Sequence, residues 1–305
     1  MKTIISTIVL LLLMASKCQA QQAPAFTQYY YNPLIVNSAY AGTNDGLNIN
    51  FVSRDQWIGV AGRPKSRAFT IDSPFRSRKM AVGVSVMTDD IGPSHSTTIA
   101  ADFAYRIYLT RGTRMAFGLK ASHSSYVARL SGLKHTDPTD QNFSSDIRFN
   151  GMANFGFSTY VWNERFYGGL SVPRIVQNDV DGTTDYLQGR EKRHYYAYGG
   201  YVHHVNSQFI FKPTLMIRYV WGAPVGVELS PNLLINEKIW VGLNYRLRES
   251  LGLTTTFHIS EEFRVGYSYD FIMNGLAPYT GGSHEFMIGY LIKYKKASSF
   301  VKCYF

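Results

Sequence analysis

Histidine, glutamate and arginine are the residues whose types could do chemistry in this chain, and their spacing limits what that chemistry is. His284 and Glu285 are adjacent. In an extended strand, neighbouring side chains point to opposite faces, so the two cannot serve one site unaided. His203 and His204 are adjacent in the same way, and nothing at metal-ligand spacing completes a coordination set around them. No Gly-x-Ser-x-Gly elbow, phosphate-binding loop or zinc-binding helix occurs. No residue is assigned a catalytic, metal-binding or cofactor-binding role, and the chemistry that remains is recognition. Arg54, Gln56 and Trp57 form the most pointed set: a guanidinium fork, an amide and an indole suit a docking surface or a lock on an internal segment. The plainer reading is a rim salt bridge and an interface-anchoring tryptophan. Arg246, Arg264, Asp270 and Glu285 form a second set, whose positions suit a stabilising polar network.

The elements that position these residues are strands. Phe263, Val265, Tyr267, Tyr269 and Phe271 alternate with Arg264, Gly266, Ser268 and Asp270. In a strand these sets face opposite ways. The same division recurs at Ile239–Tyr245, Leu253–Ile259, Phe286–Ile292 and Met80–Val86. A soluble sandwich also alternates, but its outer face is usually charged. Here the polar face is rich in Gly, Ser, Asn and Ala, which suits the lumen of a barrel whose large aromatics and aliphatics face lipid. Tyr and Phe number 22 and 19, in keeping with aromatic girdles at the two membrane interfaces. The pattern predicts fourteen strands, at 47–55, 65–73, 79–89, 95–108, 114–124, 149–162, 164–172, 194–206, 208–219, 225–235, 238–246, 249–260, 262–272 and 283–294. Tight turns at Arg76-Ser77-Arg78, Asn163-Glu164, Asn206-Ser207, Asn236-Glu237 and Ser260-Glu261 all fall between even and odd strands. The long connections, 125–148 and 173–193, fall between odd and even ones, as in barrels with short periplasmic turns and long outer loops. Pro213, inside the ninth strand, removes a ladder donor and calls for a bulge or a place at the rim. Residues 21–46 do not alternate and are expected to be irregular, a candidate plug. Lys120, Lys212, Arg218 and the second set named above then need partners in a dry lumen.

Met1–Ala20 reads as a secretory signal peptide, with Lys2 ahead of an apolar run and Cys18-Gln19-Ala20 as the cleavage site. Lipidation at Cys18 is the lesser alternative, since Lys17 stands where a small residue is wanted. Cleavage leaves Cys303 alone, so no internal disulfide forms. The formal charge of +10 falls to +8 without Lys2 and Lys17. The cations are scattered singly through alternating segments, which argues against nucleic acid as a partner. Residues 295–305, ending in Tyr304-Phe305, are expected to be a periplasmic tail or the true last strand.

An ordered series of short motifs resembles the PorP/SprF family. It opens with Gln28-Tyr29, Asn32-Pro33 and Asn37-Ser38-Ala39-Tyr40-Ala41-Gly42, and continues with Arg54-Asp55-Gln56-Trp57 and Asp89-Asp90-Ile91-Gly92-Pro93. It closes with Asn244-Tyr245-Arg246, Gly266-Tyr267-Ser268-Tyr269-Asp270 and Gly282-Ser283-His284-Glu285. Ser38 departs from it, where a second proline is usual. The resemblance implies a non-enzymatic, cofactor-free outer-membrane barrel of the type IX secretion system of Bacteroidetes. It implies partners too: secreted adhesins with type B C-terminal sorting domains, the periplasmic ring and motor proteins of secretion and gliding, an OmpA-like peptidoglycan-binding lipoprotein and the lipid bilayer. Arg54, Gln56 and Trp57 then become candidates for cargo docking or plug locking. A fatty-acid-channel-like transporter of small hydrophobic molecules, or a porin, is the alternative function.

Overall fold

The computed structural model describes residues 24–133, 145–181 and 188–294, without side chains over 179–190. The expected signal peptide and C-terminal tail lie outside the described residues. Fourteen antiparallel strands close into a barrel. They are β1 (Gly46–Asp55), β2 (Lys65–Pro74), β3 (Met80–Ile91), β4 (Ser94–Tyr108), β5 (Arg114–Ala128), β6 (Ile147–Trp162) and β7 (Phe166–Val172). Then follow β8 (His194–Tyr201, resumed at His203–His204), β9 (Phe209–Val220), β10 (Gly226–Ile235), β11 (Ile239–Arg246), β12 (Ser250–His258), β13 (Phe263–Ile272) and β14 (Ser283–Lys293). Each pairs with its neighbours in sequence, and the seam closes where β1 pairs with β14 from Gly46↔Lys293 to Asp55↔His284. A small hairpin, Asp179–Asp181 with Gln188–Arg190, stands apart in the loop after β7.

One rim is made of tight turns whose chemistry is local. Asn163 and Asn206 each accept two backbone N–H bonds from residues just downstream, and Ser260 does the same for Glu262 and Phe263. Asn236 and Glu237 both take positive φ, the two-residue turn whose twist matches its strands. The opposite rim carries 129–146 and 173–193, but Gly92-Pro93 and Leu247–Glu249 are short there. Long connections are thus confined to one rim without filling it. The connection expected at 125–148 is shorter because β5 and β6 extend further, past a bulge at Ser124/Ser125 where Gly151 adopts φ +101°.

Pro213 requires neither a bulge nor a rim position. It faces Pro231 across β9 and β10, a pair that exchanges no N–H bond. Each missing donor falls toward the outer neighbour instead. The β8–β9 ladder skips from Gly200↔Thr214 to His203↔Phe211 and the β10–β11 ladder from Leu229↔Tyr245 to Asn232↔Gly242, both without loss of register.

The alternation sorts side chains as its period demands. On β13, Gly266, Ser268 and Asp270 are buried inward, while Phe286, Ile288 and Tyr290 of β14 stand exposed on the lipid face. Large aromatics do not all face lipid, however. Tyr160, Trp162, Tyr167, Tyr196, Tyr198 and Trp240 are buried in the lumen. What they pack against is the segment before β1. Its three short 3-10 turns, Tyr29–Tyr31, Pro33–Ile35 and Ser38–Tyr40, run through the barrel and are almost wholly buried. Tyr40 meets Tyr160 edge-on at 5.6 Å, and Tyr160 stacks on Tyr198 at 6.0 Å. The wall makes room by omitting side chains. A Cβ at Gly118 would sit on the Ala39 nitrogen, and Gly42, at φ +71°, backs onto Ala81 and Pro74.

Gly118→Val forces this segment off the wall. Overpacking of this kind costs about 1–3 kcal/mol, so the variant should lose its compact, heat-resistant gel form at a lower temperature than the unmodified chain. Equal resistance would show that the segment is not seated there.

Candidate functional site

The chain descends the lumen from Phe26, near the loop rim, to Asp45, at the tight-turn rim, and the wall grips it throughout. The strongest grip is at the top. Arg54 is the last inward residue of β1 and pairs across the seam with Glu285 of β14. Its Nη1 donates to Glu285 Oε2 at 3.2 Å and to Thr27 Oγ1 at 2.6 Å, and its Nη2 donates to Asp270 Oδ2 of β13 at 2.5 Å. Arg54, Asp270 and Glu285 are at most 2% exposed. The same carboxylates hold the inserted chain directly. The N–H groups of Thr27 and Gln28 donate to Glu285 at 2.7 and 2.8 Å, and Thr27 Oγ1 donates to Asp270 Oδ2 at 2.8 Å. Asn244 Nδ2 donates to the Thr27 carbonyl at 3.4 Å and to Glu228 Oε1 at 2.6 Å. Glu228 in turn accepts from Arg246 Nε at 3.1 Å.

Further down, Tyr30 donates to Asn232 Oδ1 at 3.0 Å. The Lys212 ammonium lies 5.1 Å from the rings of Tyr30 and Tyr31 and 4.6 Å from that of Trp240. A buried cation is favourably placed over such faces. Arg264 donates to the Tyr31 carbonyl at 3.3 Å and to Asn50 at 2.9 Å. Lys120, paired with Asp102 at 2.8 Å, donates to the Leu34 carbonyl at 3.3 Å. At the bottom, Ser158 Oγ accepts from the Ala39 N–H at 2.9 Å, and Asp72 accepts from the Gly42 N–H at 2.7 Å. Arg106 donates to the Gly42 carbonyl at 2.7 Å and pairs with Asp45 at 3.4 Å.

Among the described residues, five buried cations (Arg54, Arg106, Lys120, Lys212, Arg246) match five buried carboxylates (Asp72, Asp102, Glu228, Asp270, Glu285) in number. A balanced set with local partners tolerates a dry interior far better than an unbalanced one.

The two candidate sets are therefore redistributed. Arg54 parts from its neighbours: Gln56 and Trp57 are half-buried in the loop after β1, which is stitched to the loop before β14. There the Trp57 N–H donates to Ser283 Oγ at 3.2 Å and the Ile58 N–H to the Gly282 carbonyl at 2.8 Å. Asp270 and Glu285 converge on Arg54. Arg246 stands beside them through Glu228, and Arg264 is separate, lower on the wall. Thr27, Glu228 and Asp72 complete the arrangement and were not singled out from the sequence. The inward parity of Glu228 and Asp72 was readable, but not which strands face them across the lumen, and Thr27 lies in the segment that does not alternate. His284 points away from Glu285 and bonds Tyr267 at 2.7 Å. His203 and His204 are exposed, and no cluster of three metal-ligating side chains occurs among the described residues.

Residues 18–290 match the family of the type IX secretion system membrane protein PorP/SprF. The chain belongs to this family. It is an outer-membrane β-barrel, and the match spans the ordered motifs from Gln28 to Glu285. Comparison with curated proteins finds no match. Similar solved structures include a FadL homologue of Pseudomonas aeruginosa, at 11% identity over 89% of this chain and 95% of that one, TM-score 0.47. The outer membrane protein Omp33 of Acinetobacter baumannii is 10% identical over 82% and 100%, TM-score 0.46. The CymD monoaromatic hydrocarbon channel is 11% identical over 83% and 89%, TM-score 0.47.

Arg54→Met leaves Asp270 and Glu285 buried together without their cation, at a cost of about 3–5 kcal/mol. Thr27→Val removes one bonded hydroxyl, at about 1–3 kcal/mol. In planar bilayers Arg54→Met should open current steps that the unmodified chain lacks, with Thr27→Val weaker in the same direction. Silent recordings from both would show that this cluster does not retain the inserted segment.

Proposed function

We propose that this chain is a non-conducting anchor of the type IX secretion system, which binds the C-terminal sorting domain of a secreted protein and holds it at the cell surface. In this reading residues 1–20 are a leader, 21–46 a plug, 47–294 the barrel and 295–305 a tail, and Arg54 holds the plug. The ring and motor proteins and a peptidoglycan-binding lipoprotein are its partners on the periplasmic side. It acts by binding, with no covalent step and no cofactor.

The observation that carries this reading is the filled lumen. Residues 24–45 occupy the interior with buried tyrosines and with backbone groups bonded to the wall at Thr27, Gln28, Tyr31, Leu34, Ala39 and Gly42, where a porin needs water and a carrier of apolar molecules needs an apolar pocket. The loop rim adds a second cover. Pro173–Val176 folds inward, with the Ile175 N–H donating to the Phe155 carbonyl at 2.8 Å and Asn154 bonding Val176. Arg174 pairs with Glu191 there and donates to Thr98. With the interior occupied, recognition falls to the rim.

The rim is uneven in a way that suits docking. β4, β5 and β6 are 15, 15 and 16 residues long, against 7 and 8 for β7 and β8. Their outward faces are apolar up to Ile99, Ala121 and Phe155. Above these stand Thr97, His95, His123 and Ser125, polar where lipid would require apolar groups. This wall rises into the aqueous phase beside 129–146 and 173–193.

Affinity purification of the tagged chain from native outer membranes should recover a large secreted protein or type IX ring components by mass spectrometry. Recovery of the barrel with lipid or a small apolar ligand alone would overturn the anchor reading in favour of transport. A chain shortened in both 129–146 and 173–193 should lose its secreted partner while still inserting. A steady large conductance from the unmodified chain would favour a porin instead.

A further inference from the structure

The raised wall has an open edge. β5 pairs with β6 all the way up to Ala128↔Ile147. On the far side of β6, the ladder to β7 begins only at Phe157↔Val172. The inward fold of 173–178 covers part of this step: the Ile175 N–H reaches the Phe155 carbonyl, and Asn178 Nδ2 reaches the Ala153 carbonyl at 3.4 Å. On the side away from β5, Ile147–Met152 has no strand beside it among the described residues.

The phase of this stretch follows from those two bonds. The Phe155 and Ala153 carbonyls point away from β5, so the backbone of Met152 points toward it. The extra residue at Gly151 shifts the phase by one. Ile147 and Phe149 therefore bond β5, opposite Ala128 and Tyr126, and Arg148 and Asn150 turn their N–H and C=O groups outward. Both residues are exposed. The stretch lies above Phe155, the last large apolar residue of the lipid-facing band on β6, and among the described residues these groups have no strand to pair with outside β5.

We propose that this edge receives an extended strand of the anchored protein, which continues the barrel wall from β6 by backbone pairing over Ile147–Met152. The proposal rests on the anchor reading and adds its mode of binding. A row of outward N–H and C=O groups at strand spacing is complementary to another backbone and to no lipid or small apolar ligand. Arg148 is the one charged side chain on the stretch. Its side chain is 67% exposed and lies 3.8 Å from Asp146, so it leaves the backbone path clear. Ile147, Phe149 and Met152 are half-buried and supply apolar flanks for the incoming strand.

The test uses the full-length tagged chain in native outer membranes. Asn150→Pro removes an outward donor without touching the β5 ladder, while Asn150→Ala keeps it. Recovery of the secreted partner should fall about tenfold with Asn150→Pro and stay near normal with Asn150→Ala. If Asn150→Pro fails to insert, amide exchange on the unmodified chain decides: Arg148 and Asn150 should be protected in the purified complex and exchange freely once the partner is stripped. A partner retained by an inserted Asn150→Pro, or unchanged exchange at Arg148 and Asn150, overturns the strand proposal and leaves the anchor reading intact. An unmodified chain that recovers no secreted protein overturns both.

Discussion

A guanidinium buried in a barrel lumen is tolerable only when carboxylates meet it, and here that requirement ties four parts of the molecule together. Arg54 comes from the first strand, Glu285 from the last and Asp270 from the one before it. Thr27 comes from the inserted segment. With Glu285 directly opposite Arg54 in the closing pair, slipping the seam by one residue would turn one of the two out toward lipid. The same two carboxylates accept the Thr27 and Gln28 N–H groups, so closing the barrel builds the receptor for the plug. Unplugging would strand both acids and the guanidinium in whatever water entered.

The rest of the interior repeats this logic with weaker members. A barrel wall rich in Gly, Ser, Asn and Thr cannot bury itself, because its polar atoms need partners. The inserted segment supplies them in order: carbonyls for Arg264, Lys120 and Arg106, N–H groups for Glu285, Ser158 and Asp72, and aromatic faces for Lys212. It also supplies apolar mass, which is why tyrosines and a tryptophan from β6, β7 and β8 turn inward. The plug thus acts as the hydrophobic core of a protein whose other apolar surface faces lipid.

Much of this was legible in the sequence, because each legible feature was local. Alternation such as Phe263 to Phe271 assigns faces with a period of two, and side-chain-capped turns at Asn163, Asn206 and Ser260 mark the strand ends. Cross-lumen contacts are different in kind. That Arg54 meets Asp270 while Arg264, on the same strand as Asp270, meets Tyr31 depends on curvature and register around the whole barrel. Inward aromatics such as Tyr160 and Tyr198 look the same in alternation as lipid-facing ones. Pro213 looked like a defect because Pro231, its cross-strand partner, lies on another strand. Only the pairing shows that the two prolines face each other where no bond would have formed.

The distribution of strand length then separates stability from recognition. Around β9–β14 the wall ends near the apolar band, and the loops there are short or stitched together, as Trp57 and Ile58 are to Gly282 and Ser283. Around β4–β6 the wall continues beyond the band, although that costs exposed ladders that no lipid covers. β4 and β5 satisfy each other along this extension, and among the described residues β6 has a strand on only one side of its upper part. A barrel selected for stability alone would end β6 level with β7, or lay the return loop along its whole edge. Here the loop turns inward at Pro173 and covers the lumen, and among the described residues the upper edge of β6 is left without a strand on that side.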